Sequence, residues 1–346
     1  MPSEQIQIFQ YSTNPACAPY RLLCPAQAMN ATGRFRVETF SRLDTAMFRR
    51  LADQADMVIF QRVKMSPAFA KLCDALKTLG KWLVYEIDDD LMHLPPQSRF
   101  VRAAPGDYAQ RIRDAMAACD TVQCSTHNLG QVLSQTPAEV AVFENQLEQA
   151  PPLAEKPRGR RPLVIAYAAG EDHWLDWLTI KNEFNKTVAV LERHGLALQV
   201  WILGDRAIFD SVETANKQFF PLAPHNEYLR ILSQLDISII PLADNQFNRC
   251  KSDVKFLESA AAGCAVIASE LVYAESIEHG RTGMLFANSE QFSSLLENLA
   301  VNPEKIRSLT QNAHRYVASQ RLIQQHIHKW ETTYFRWNEK RLCHAC

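Results

Sequence analysis

The stretch DISIIPLADNQFNRCKSDVKFLESAAAGCAVIAS, residues 236–269, decides the fold. It opens on a β-branched apolar run, passes through a polar loop, continues as an amphipathic helix, turns at Gly263 and ends in a second apolar run. Strand, helix, strand in so few residues is a βαβ unit, which belongs to a parallel sheet covered by helices. On the helix, Glu258 shares a stripe with Val254, Leu257 and Ala261, so a carboxylate faces the interior or a cleft. It needs partners: Lys255 three residues earlier as a structural pair, or the hydroxyls of a ligand. Ser252 is placed to cap the helix, and with Lys251 beside it the first turn suits either a phosphate or a plain capped start with Asp253 in it.

Outward from this unit the same rhythm holds. Strands are expected at Ile6 to Tyr11, Phe35 to Phe40, Met57 to Phe60, Trp82 to Ile87, Thr121 to Cys124 and Val140 to Phe143. Helices lie between them, at Tyr20 to Met29, Leu43 to Ala52, Pro67 to Leu79 and Tyr108 to Ala118. Residues 149–162 read QAPPLAEKPRGRRP, four prolines with clustered charge, the composition of a linker. A second series follows, with strands Leu163 to Ala168, Leu198 to Leu203, Ile237 to Pro241, Ala265 to Ala268 and Met284 to Phe286, and helices near 174–193, 226–235 and 252–262. Three closing helices cover 289–300, 303–318 and 320–338, the last with Trp330, Tyr334 and Trp337 on one face that must be covered.

The 346 residues exceed twice a usual single domain, so two are expected. Lys plus Arg number 37 against 38 Asp plus Glu, which leaves no basic footprint for nucleic acid. No apolar run is long enough to span a bilayer and the start has no signal-peptide pattern, so a cytoplasmic protein is expected. Nine scattered cysteines read as reduced thiols, and the tail Cys343-His344-Ala345-Cys346 as a frayed end rather than half a metal site. Neither the segment after Ile8 nor that after Ile165 has the G-x-G-x-x-G of dinucleotide binding, and the P-loop pattern is absent.

Asp236 to Ser269, with YAESIEHGRTGMLF at 273–286, resembles the donor-binding core of retaining GT-B glycosyltransferases of the family-4 type. In that family a Glu heads E-A-x-A-x-G-x-P-V-I-A-S, followed by H-G-x-T-G-x-L. Glu258, Gly263, Ser269, His279-Gly280 and Thr282-Gly283 take those places, with Ala265 where proline is usual. Trp201-Ile-Leu-Gly-Asp205 and Phe143-Glu-Asn-Gln-Leu147 are further matches, which bring in Gly204.

The resemblance implies an α/β fold, GT-B: two Rossmann-like domains facing a central cleft, with a C-terminal helix crossing back to the N-terminal domain. It divides the chain into an acceptor domain over 1–150, a linker over 151–162, a donor domain over 163–318, and a returning helix and tail over 319–346. It implies transfer from a nucleotide sugar, with retention, to a glycan, lipid-linked or protein acceptor. A lipid-linked acceptor would bring peripheral membrane contact at the inner face, and Arg158-Gly-Arg-Arg161 is the basic patch that would serve it. No cofactor or metal is implied. Donor contacts fall on Gly170, Gly204, Asn248, Lys251, Ser252, Lys255 and Glu258. Glu258 matches the second Glu of a Glu, seven residues, Glu motif; the first falls on Cys250.

The basic pair that this family places after the first donor-domain strand is missing from Gly170-Glu-Asp-His-Trp-Leu-Asp176, so His173 and Lys251 are the candidates to offset charge on the leaving phosphate. For His173 the alternative is a surface residue at a helix start. Asp88, Asp89 and Asp90 close a strand, where an acceptor hydroxyl, a solvated acidic loop or a divalent metal would each suit them; the resemblance argues against the metal. Asn14-Pro15 and Tyr20-Arg21 resemble the start of the N-terminal domain in bacterial polysaccharide transferases, where Arg21 would bind an anionic group or cap its helix. Two other classes stay open: a silent GT-B module that binds a nucleotide sugar or partner, and a sugar-nucleotide epimerase of the same design.

Overall fold

The computed structural model describes residues 5–14, 17–98, 101, 106–136, 138–153 and 161–344. Pro15, the stretch Arg158 to Arg160, and Ala345 and Cys346 lie outside them, and with them parts of the N-terminal motif, the basic patch and the tail. The chain forms two compact units: Met1–Glu148 with Cys250–Ser252 and Ile323–Cys346, and Gln149–Arg249 with Asp253–Leu322.

The first unit holds a six-stranded sheet in the order β2-β1-β3-β4-β5-β6. Its strands are β1 (Ile6–Tyr11), β2 (Phe35–Phe40), β3 (Met57–Gln61), β4 (Trp82–Ile87), β5 (Thr121–Cys124) and β6 (Glu139–Val142), all paired in parallel. Successive side chains go to opposite faces, so each strand feeds two cores. Phe9, Phe60 and Tyr85 go to one face, Ile8, Ile59 and Val84 to the other. The central strands are apolar on both faces, as a sheet buried between helices requires.

The second face is closed by the last helix, Ile323–His344. Trp330 stacks on Phe143 at 3.9 Å and 12°, Tyr334 stacks on Trp337, and the Tyr334 hydroxyl donates to Gln123 Oε1 at 2.8 Å. The aromatic stripe is therefore covered by the first unit.

The second unit repeats the architecture with β7 (Leu163–Ala169), β8 (Leu198–Gly204), β9 (Lys217–Phe220), β10 (Ile237–Ile240), β11 (Ala265–Ser269) and β12 (Met284–Phe286). The order is β12-β11-β10-β7-β8-β9, again all parallel. Read from β9, this is the doubly wound order, whose direction of winding reverses between β7 and β10. In the first sheet the reversal lies between β1 and β3.

Three local expectations change. The helix expected over 174–193 is two, Trp174–Leu178 and Lys181–Arg193, because Thr179 folds back to donate its hydroxyl to Asp176 O at 2.6 Å. The sequence reading missed β9 and the helix Arg206–Ser211. The helix expected from Ser252 starts at Val254 with Asp253 as its N-cap residue. Ser252 stands one residue before that cap, and its hydroxyl accepts from Asn145 Nδ2 at 2.8 Å in the first unit.

Candidate functional site

In an open parallel sheet, the chain leaves a crevice beyond the carboxyl ends of the strands where the winding reverses. In the second unit that point is the ends of β7 and β10, and a connected set of polar side chains sits there. After β7 the chain passes Gly170, whose absent Cβ would meet nothing within 4 Å, so neighbouring atoms do not demand glycine there. It then makes one 3-10 turn, Glu171–His173, into the helix Trp174–Leu178. This places His173 and Asp176 on the same side, three residues apart, with Nδ1 of His173 2.7 Å from Asp176 Oδ2.

Asp176 is buried, and its other oxygen accepts from the backbone N–H of Ala243 at 2.8 Å, on the loop after β10, and from Asn248 Nδ2 at 2.7 Å, on the short helix Gln246–Arg249 that this loop leads into. Asn248 also donates to Ala243 O at 2.8 Å. It is thus a buried brace of this loop. From the helix Val254–Ala261, Lys255 reaches back to the end of β7, with Nζ 3.0 Å from Ala168 O and 3.3 Å from His173 Nε2.

One turn further along that helix, Glu258 is buried. It accepts from the Tyr228 hydroxyl at 3.2 Å, and His225 Nδ1 lies 3.9 Å from its other oxygen. Burial lowers the pKa of His225, which favours an uncharged imidazole beside the carboxylate. Asp253, at the start of the helix, is matched by Arg321 with contacts of 2.5 and 3.1 Å and by the Ser276 hydroxyl. Its charge therefore no longer stands alone against an anion at this helix end.

In the first unit, Asp88 and Asp89 follow β4 and are bridged by Arg62, which donates Nε–H to Asp88 and an NH2 hydrogen to Asp89 Oδ2 at 2.7 Å. Arg62 follows β3 with φ +52°, a left-handed conformation that is uncommon for a side-chain-bearing residue and clusters at functional sites. Asp90 is buried, with Oδ2 2.8 Å from His93 Nδ1 and 3.9 Å from the Cys250 thiol. Among the described residues, no three His, Cys, Asp or Glu side chains gather to hold a metal ion.

Arg21 is fully buried. It makes a two-pronged contact with Glu86, 2.7 and 3.2 Å, and donates to Phe143 O and to Asn145 Oδ1 at 3.1 Å. Of the two roles open to it, an anionic group or a helix cap, the contact seen is with an anion of the chain itself: Glu86, inside the core. Lys251 and Ser252 group with the first unit together with Cys250, whose carbonyl accepts from Thr126 Oγ1 at 3.0 Å.

Residues 179–302 match a protein family described as Glycosyl transferases group 1. No curated protein matches the chain. Among solved structures, Anabaena HepE in complex with UDP and glucose is 13% identical, with 95% of this chain and 100% of that chain covered at a TM-score of 0.63. Sucrose-phosphate synthase from Thermosynechococcus elongatus is 11% identical, with coverage of 96% and 99% and a TM-score of 0.65. A glycosyltransferase from Rickettsia africae is 12% identical, with coverage of 96% and 98% and a TM-score of 0.61.

The fold is GT-B. Within this GT-B chain the structure brings together His173, Asn248 and Lys255, with Glu258 on the same helix as Lys255. It explains Gly204 by packing: at φ +99° a Cβ there would lie 2.2 Å from Ala169 O. Gly204→Ala should therefore destabilise by more than about 2 kcal/mol, since the left-handed conformation alone costs about 1–2. Urea denaturation checks this, and an unchanged midpoint would show that the end of β8 can move away from β7. Sequence reasoning missed Asp176, Tyr228, His225 and Arg62. Only Asp176 left a usable signal, its spacing of three from His173.

Proposed function

We propose that this GT-B chain transfers a sugar from a nucleotide-sugar donor, held by the second unit, to the hydroxyl of a glycan, lipid-linked or protein acceptor held by the first. The observation that carries this is the polar set at the winding reversal between β7 and β10, of which Asn248, Lys255 and Glu258 lie inside the segment matched by the group 1 family and His173 and Asp176 just before it. A buried carboxylate at Glu258, one turn from a cation at Lys255, has the donors and acceptors that ribose hydroxyls and a diphosphate require. That HepE is seen with UDP and glucose supports the choice of donor class.

In this mechanism, the incoming hydroxyl and the departing phosphate share one face of an oxocarbenium-like centre, so configuration is retained without an enzyme nucleophile. Orientation and the exclusion of water contribute to the acceleration. Charge on the leaving phosphate is met by side chains, with no resident metal. Asp88 and Asp89, held in place by Arg62, are the acceptor contacts, each able to accept from a sugar hydroxyl. Work at the inner face of the membrane follows if the acceptor is lipid-linked; among the described residues, no helix is long and apolar enough to cross a membrane.

Thermal-shift measurements with UDP, GDP, ADP, CMP and dTDP and their sugars test this on wild type and Glu258→Ala. Selective stabilisation by one base, lost in the variant, is the expected result, because a ligand that binds only the folded state raises the melting temperature. No shift at millimolar concentration would remove the donor site.

A second reading, a nucleotide-sugar-binding module without turnover, is favoured by Cys250. The residue at the position of the first motif Glu is fully buried in the first unit's core. Release of nucleoside diphosphate from the stabilising sugar nucleotide separates the readings. A transferase releases it slowly to water, a module leaves the donor intact, and an epimerase changes the sugar without an acceptor.

A further inference from the structure

Transfer from a nucleotide sugar leaves negative charge on a diphosphate, and a cation must face it. We propose that Lys255 is that cation, and that His173 is its uncharged holder rather than a second positive group. This rests on the donor-site reading above and adds a catalytic residue to it.

The argument is one of hydrogen-bond polarity. An ammonium carries donors only, so the contact of 3.3 Å between Lys255 Nζ and His173 Nε2 requires Nε2 to accept. The ring proton is then on Nδ1, where Asp176 Oδ2 receives it at 2.7 Å. Asp176 is fixed in turn by Ala243 N–H and Asn248 Nδ2 on its other oxygen. A chain of oriented groups thus runs from the loop after β10, through Asp176 and His173, to the ammonium.

A protonated His173 would put two positive groups in contact and would break that chain. The Ala168 carbonyl, 3.0 Å from Nζ, ties the ammonium to the carboxyl end of β7, where the winding reverses. A flexible four-carbon side chain is thereby held as a preorganised point charge, the form in which a charge stabilises a transition state most. The position on the helix also explains how the chain can lack a basic pair after β7: the charge is delivered to the same place from residue 255.

Isothermal titration on the full chain tests this with UDP, GDP, ADP and dTDP and with the four matching nucleosides. For the base that wild type binds, Lys255→Met should weaken the nucleoside diphosphate about tenfold or more while its nucleoside changes less than about twofold, because only the phosphates meet the ammonium. Lys255→Arg, which keeps the charge, should restore most of the difference, and the nucleoside affinity shows that the variant is folded. Equal loss of nucleoside and diphosphate, or an unchanged diphosphate affinity, overturns the assignment of Lys255 and leaves the donor site standing. A wild type that binds none of the diphosphates overturns the donor site itself.

Discussion

Glu86→Ala is expected to destabilise the first unit by about 3–5 kcal/mol, the usual result of removing one partner from a buried ion pair. Both side chains are fully buried. Burial pushes the Glu86 carboxyl up, and the Arg21 guanidinium pulls it back only in part. The pair is thus held against a large desolvation cost, and a guanidinium left without its anion has no route to water. Arg21→Met together with Glu86→Leu should lose much less than Glu86→Ala alone, since apolar groups of similar volume remove both desolvation costs at once. Urea titrations of the three proteins decide the matter. If Glu86→Ala stays within about 1 kcal/mol of wild type, the pair does not have the role that its geometry gives it.

Trp330→Ala is expected to cost a similar amount, about 3–5 kcal/mol, for a different reason. The indole is 2% exposed, stacked on Phe143 and edge-on to Tyr334 at 5.9 Å, with the Arg21 guanidinium 5.9 Å from its ring. Its removal leaves a cavity between the last helix and the sheet, and it exposes the carbonyl side of Phe143 on which Arg21 depends. Hydrogen exchange is the sharper readout in a chain of two units, because it reports the protection of each unit separately. Protection should fall in residues 5–148 and 323–344 while the second sheet keeps its own. Uniform loss across both sheets would contradict the assignment of this helix to the first core.

How much of this was legible in the sequence follows from what each signal measures. Central strands such as Trp82–Ile87 and Thr121–Cys124 lie where the apolar runs placed them, since both of their faces are buried. The strand Lys217–Phe220 did not show, because its four residues open on two polar ones and include no β-branched side chain. The break between Trp174–Leu178 and Lys181–Arg193 was equally hidden, for a helical period continues across two residues that leave the helix.

At the site, spacing put Glu258 on the inner stripe of its helix. It could not choose between Lys255 and a ligand, and the answer depends on where Lys255 goes, which is set by β7 nearly a hundred residues earlier. The pairing of Arg21 was hidden for the same reason. Its partner Glu86 is 65 residues away, and no local pattern reports such a pairing.

The helix Ile323–His344 belongs to the core that begins at Ile6. During synthesis the first sheet is therefore made early and finished last. At about 5–20 residues per second, it waits on the order of ten seconds or more for the indoles of Trp330 and Trp337 to arrive. The second unit is made within that interval, and its chain is complete at Leu322, just before the helix that closes the first core. The half of the protein that emerges first is thus the one whose apolar sheet face is uncovered the longest, and it is there that a chaperone has a surface to hold.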